Sequence, residues 1–153
     1  NTWWAFQSDL TPELEKALLL WLNSTPALLL MLSRRVATRS AWMQVKKPQW
    51  AAMPALDVRA LPREALARLA AAFDDLGGRE LLALAKLDVD PARAAIDAAL
   101  SVALGLPDFA LLRQLLAREP GLTGQSLSPK PGQSVPLAGT PQEETATQLR
   151  LLL

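Results

Sequence analysis

Apolar residues recur along most of this chain at helical spacing. Leu14, Leu18 and Trp21 stand four and three apart, which puts them on one face of a helix. Thr11-Pro12 suits its start: a Thr hydroxyl can cap the first turn, and Pro at the first helical position gives up no useful N–H. The pattern predicts a helix from there to about Leu22. Asn23-Ser24-Thr25-Pro26 then reads as a second cap-like cluster. A second helix over 26–35, or a kinked continuation of the first, follows. Its Leu28, Leu29, Leu30, Met31 and Leu32 leave almost no polar face, so deep burial is expected, with Arg34 and Arg35 suited to its C-terminal dipole. Farther on, Leu66, Leu69, Ala70 and Phe73 form one face of a helix opened by Pro62 and stopped by Gly77-Gly78. A short helix is predicted over 79–86. Asp90-Pro91 starts another that carries Ile96, Leu100 and Leu104 at intervals of four and ends at Gly105. Asp108 caps a last one to about Arg118.

Two stretches break this rhythm. Residues 36–56 have the only strand character: a short strand is expected over 41–45, a break at Lys46-Lys47-Pro48, and a second extended stretch over 53–58. Residues 119–148 are rich in Pro, Gly, Ser, Thr and Gln with few large apolar side chains. Such a segment buries too little surface to offset its ordering entropy. The predicted organisation is therefore mainly α: a helical domain over 1–118 with a short extended or β connector, and a disordered tail over 119–153. No internal repeat is visible.

Composition supports helix and narrows the chemistry. Half of the 153 residues are apolar, Tyr is absent and Phe occurs three times, so the core draws on Leu and Ala rather than on strand-forming residues. There is no Cys, which excludes disulfides and thiolate metal sites and fits a reducing, cytoplasmic setting. There is no His, so Ser-His-Asp, Cys-His and His-ligated zinc chemistry are excluded within this chain. No phosphate-binding glycine loop occurs. The clustered carboxylates, Asp74-Asp75 and Asp88 with Asp90, sit at expected helix ends and are read as structural. The apolar run 17–32 is shorter than the roughly 20 residues a spanning helix needs and is interrupted by Asn23 to Pro26, so it is read as core, and no membrane partner is expected. The chain begins at Asn1 rather than Met, the reading of a fragment or processed product.

Charge distribution says more than the net charge of +1. No acid lies between Glu15 and Asp57, yet Lys16, Arg34, Arg35, Arg39, Lys46 and Lys47 do. Lys and Arg neutralise phosphates irrespective of sequence, and Arg also reads guanine edges. Gln44 and Gln49 have the amide that pairs with adenine, and Trp42 and Trp50 offer rings for stacking. The candidate DNA-binding set is Arg34, Arg35, Arg39, Lys46, Lys47, Gln44 and Trp42. The alternative is a solvated basic loop over a helical protein-interaction module that docks on a catalytic domain or subunit.

One family shares several of these short elements. Leu22-Asn23-Ser24 within an apolar helical run resembles the LNS element of target-recognition regions in adenine-N6 DNA methyltransferases of restriction-modification and phage-defence type. There a basic loop and a lysine-then-Leu-Pro segment follow, and Lys46-Lys47-Pro48-Gln49-Trp50 and Met53-Pro54-Ala55-Leu56 stand in those places. Ile96-Asp97 followed by Leu104-Gly105-Leu106 is similar to a C-terminal element of the same proteins, with Ser101 and Leu104 where Tyr is usual. The resemblance covers residues 18–116. It implies a C-terminal specificity domain that is not catalytic itself. The S-adenosylmethionine site and the Asn-Pro-Pro-aromatic motif for the flipped adenine belong to an upstream methyltransferase domain. DNA and that domain are then the partners, no cofactor binds this chain, and Asn23 and Ser24 cap a helix junction rather than touch DNA.

Overall fold

The structure, a computed structural model, describes residues 8–35 and 45–123. Seven helices appear there, with no strand among the described residues: α1 Pro12–Leu22, α2 Thr25–Ser33, α3 Lys47–Ala51, α4 Arg63–Leu76, α5 Pro91–Leu104, α6 Ala110–Leu116 and α7 Pro120–Thr123. Two 3-10 turns, Val58–Ala60 and Leu84–Val89, complete the order. The protein is mainly α, as the hydrophobic periodicity predicts.

The main core lies where α4 packs against α1 on one side and α5 on the other. Ala17 and Leu20 of α1, Leu69, Phe73 and Leu76 of α4, and Ile96 and Leu100 of α5 meet there, joined by Val58 and Leu81. The predicted stripes of α4 and α5 thus point inward. Fully burying each Leu or Ile contributes about 1.5–3 kcal/mol. The predicted α1 face of Leu14, Leu18 and Trp21 packs on the rim of this core, half-buried. A second, smaller cluster joins Leu28 and Met31 of α2 to Leu87, Leu116 of α6 and Leu122 of α7, with Met53 alongside.

The link between the two clusters is the turn at Asn23-Ser24. The Asn23 side-chain amide donates to the Leu19 carbonyl at 2.9 Å, which closes α1. Ser24 caps α2, accepting from the Ala27 amide at 3.3 Å and donating to the Trp21 carbonyl at 2.6 Å. These bonds end one helix and begin the next at a bend of 67°. No single helix among the described residues is long and apolar enough to cross a membrane; α1 and α2 pass that test only as this bent pair.

Several expectations need correction. Thr11 stands at the N-cap of α1 but makes no side-chain cap bond. α2 is not buried all round: Leu28 and Met31 face the second cluster, Leu29 is 41% exposed, and Leu30 and Leu32 are half-buried. The stretch 46–48 does not break the chain but opens α3, because Pro48 falls in the first turn, where its missing N–H costs nothing. Residues 53–57 form no strand, and Val58 already belongs to the first 3-10 turn. The helix expected over 79–86 is instead a coil followed by 3-10 geometry, since Asp90 bonds the Leu82 amide at 2.9 Å and pins the chain outside a helical path. The fold also runs past 118: Glu119 and α7 belong to it, with Leu122 buried against Leu116. The remainder of the expected tail, and residues 41–44 of the expected strand, lie outside the described residues.

Candidate nucleic-acid interface

The acid-free segment enters the fold through α2 and returns through α3. At the end of α2, the Arg34 amide bonds the Met31 carbonyl at 3.1 Å and the Arg35 amide bonds the Leu32 carbonyl at 3.2 Å. Both arginines are exposed, at the helix end where cations interact well with the backbone dipole. Arg35 carries an ion pair across the fold: its Nη1 stands 2.9 Å from Glu119 Oε1, just before α7.

At the other mouth Lys46 is the N-cap residue of α3 and Lys47 its first residue, both exposed, and α3 has no acid in its first turn. Two cations at a helix start run against the preference of the helix dipole, which favours acids there. Trp50 is 41% exposed. Gln49 is half-buried, and its Oε1 has no hydrogen-bond partner. Of the remaining candidates, Arg39, Trp42 and Gln44 lie outside the described residues. The fold therefore shows exposed cations at both mouths of the connector.

What fixes α2 is a buried polar network that sequence reasoning misses. Asp97, on α5, is 1% exposed. Its Oδ1 accepts from the Thr25 amide at 2.9 Å, and its Oδ2 accepts from the Thr25 hydroxyl and from Arg113 Nη1 of α6 at 2.7 Å. One turn earlier on α5, Arg93 is 2% exposed and donates through Nη1 to the Asn23 carbonyl at 2.6 Å. Burial pushes the Arg93 guanidinium below its ordinary pKa, while the nearby Asp90 and Asp97 carboxylates oppose the shift. Its Nε lies 3.8 Å from Asp90 and has no hydrogen-bond partner, and neither does that of Arg113. The network thus holds the first turn of α2 against α5 and α6. The one sequence signal for it is the pair Arg93 and Asp97, two opposite charges one turn apart and the only charged residues in α5.

Three of the four clustered carboxylates have structural roles, while Asp88 is exposed. Asp74 pairs with Lys16 of α1 at 2.6 Å, Asp75 with Arg79 at 2.9 Å, and Asp90 caps α5 through the Ala92 and Arg93 amides. No group of three metal-ligating acids occurs among the described residues. A shallow depression of about 270 Å³ between α5 and α6 is lined by Ala94, Ala98, Ser101, Val102, Asp108 and Arg113, but the Arg113 guanidinium is already engaged by Asp97. Comparison of the chain with protein-family models, curated proteins and solved structures gives no match.

Proposed function

We propose that this chain is the DNA-docking, target-recognition segment of an adenine-N6 DNA methyltransferase, with the chemistry supplied elsewhere in the parent enzyme. The observation that carries the reading is the placement of Arg34 and Arg35 at one mouth, and Lys46 and Lys47 at the other, of a connector that contains no acid. A polyanion is the natural counterpart of such a segment, since each phosphate neutralised releases counterions. The short elements shared with adenine methyltransferase specificity regions support the same reading. On it, Arg39, Trp42 and Gln44 belong to the connector that faces DNA. S-adenosylmethionine and the flipped base sit in the upstream domain.

The charge-neutral variant Arg34→Gln/Lys46→Gln/Lys47→Gln tests this in the full chain. Fluorescence anisotropy with a labelled duplex is expected to show clearly weaker binding than the parent chain, and equal binding would reject the reading.

A second reading, docking on a protein, is favoured by a different face. Val102 of α5 (69% exposed), Leu106 just after it, and Leu111 (67%) and Leu115 (56%) of α6 are exposed apolar side chains. The two readings are compatible if these side chains rest on the methyltransferase domain while the connector meets DNA.

A further inference from the structure

Among the described connector cations, Arg35 differs from Arg34 in one respect: its guanidinium is held by Glu119, 84 residues away in sequence. Main-chain bonds fix the backbone at Glu119. The Glu119 amide bonds the Leu116 carbonyl at 3.0 Å, and the Glu119 carbonyl accepts from the Leu122 amide at 2.9 Å, with Leu116 and Leu122 both buried. Glu119 therefore stands at a fixed corner between α6 and α7, beside the end of α2.

α6 and its flanking corner hold α2 twice, and the two ties differ in kind. At the start of α2, Asp97 and Arg113 are 1% and 11% exposed, and Thr25 completes the carboxylate's shell. No solvent-borne anion reaches that pair. At the end of α2, the Arg35 and Glu119 side chains are 35% and 31% exposed. A pair this accessible is screened by water and salt and is held weakly. A guanidinium presents the same planar fork to carboxylate and to phosphate, so the two anions compete for it.

We propose that Glu119 is an internal phosphate mimic that keeps Arg35 in reserve: Arg35 contacts a nucleic-acid phosphate only by exchanging the Glu119 carboxylate for it. This rests on the DNA-docking reading and adds regulation to that same site. Arg34 supplies a constant contact, whereas Arg35 engages only when bound phosphate displaces Glu119. The exchange raises the discrimination between correctly seated and glancing DNA, because only a phosphate positioned at the end of α2 takes over the guanidinium.

The test is a double-mutant cycle in the full chain, with binding to a labelled duplex followed over a salt series. Glu119→Gln removes the charge and keeps the side chain's shape. It is expected to tighten binding about two- to five-fold, the range that a released surface ion pair supports. It is also expected to steepen the dependence of log affinity on log salt by up to ~0.9, the value of one neutralised phosphate. In an Arg35→Gln background, Glu119→Gln is expected to change both quantities clearly less. Equal tightening in both backgrounds would mean general repulsion by an acid and would overturn the exchange, and so would no tightening in the parent chain. The Arg34→Gln/Lys46→Gln/Lys47→Gln variant separates the two levels. If it weakens binding while Glu119→Gln does nothing, the exchange alone is rejected. If it binds like the parent chain, the docking reading falls and takes the exchange with it.

Discussion

Asp97 is the most consequential side chain in the described fold. It holds the start of α2 through the Thr25 amide and hydroxyl, both out of solvent, and it receives Arg113, 11% exposed, from α6. Removing one partner of a buried pair leaves the other charged and unsolvated, at a cost of about 3–5 kcal/mol. Asp97→Ala is therefore expected to lose about that much stability in urea unfolding. Asp108→Ala makes a fair comparison, because exposed Asp108 only accepts from the Ala110 amide at 2.7 Å. Loss of such a cap-type bond costs roughly 1 kcal/mol. Equal losses in the two variants would contradict the hub role of Asp97. The contrast also marks what sequence reveals at this scale. The cap bonds of Asp90 to the Ala92 and Arg93 amides and of Asp108 to the Ala110 amide act within a few residues, and local patterns announce them. The partner of Asp97 at Thr25 lies 72 residues away, and no local pattern carries that distance.

At the scale of elements, boundaries set by caps and stop residues are legible in the sequence, and those set by tertiary contact are not. Asp90-Pro91 and Gly105 bracket α5 as their pattern predicts, and Gly105 takes the left-handed conformation, φ 63°, from which the Leu106 amide reaches back to the Ser101 carbonyl at 2.9 Å. A Cβ at that position meets no neighbour, so the cost of substitution is conformational alone. Gly105→Ala is expected to lower stability by about 1 kcal/mol. A thermal melt superimposable on the parent's would show that the left-handed turn is not what ends α5. The start of α3, by contrast, reads as a break, because Lys-Lys-Pro resembles a loop until Pro48 is seen to occupy a first helical turn. Sequence also overstates the burial of α2. Its leucines run all round the helix, and only contact with Leu87, Leu116 and Leu122 decides which of them face inward. The outer leucines of α6 offer a cleaner test of solvent exposure. Leu111→Ser with Leu115→Ser is expected to leave stability within roughly 0.5 kcal/mol, as is usual for surface positions. If this face docks on protein, the same variant also reduces association seen by light scattering. A large loss of stability would mean that the face is packed rather than free.

For the molecule as a whole, the helical class and the main core follow from apolar spacing, because stripes on α4 and α5 leave few ways to bury themselves. The second cluster is not legible: it gathers residues from α2, the second 3-10 turn, α6 and α7, and it draws the fold beyond the composition change at Glu119 as far as Thr123. The candidate site is legible as a set of charges and not as an arrangement. Sequence identifies the acid-free connector, and the fold adds which cations stand at its mouths and that Arg35 is paired. On the proposed function these cations meet the phosphates of DNA, and the slope of log affinity against log salt reports that contact. The parent chain is expected to show a clear negative slope, and Arg34→Gln/Lys46→Gln/Lys47→Gln is expected to flatten it by up to roughly 3, at ~0.9 for each phosphate no longer neutralised. An identical slope and affinity in the two proteins would contradict the account.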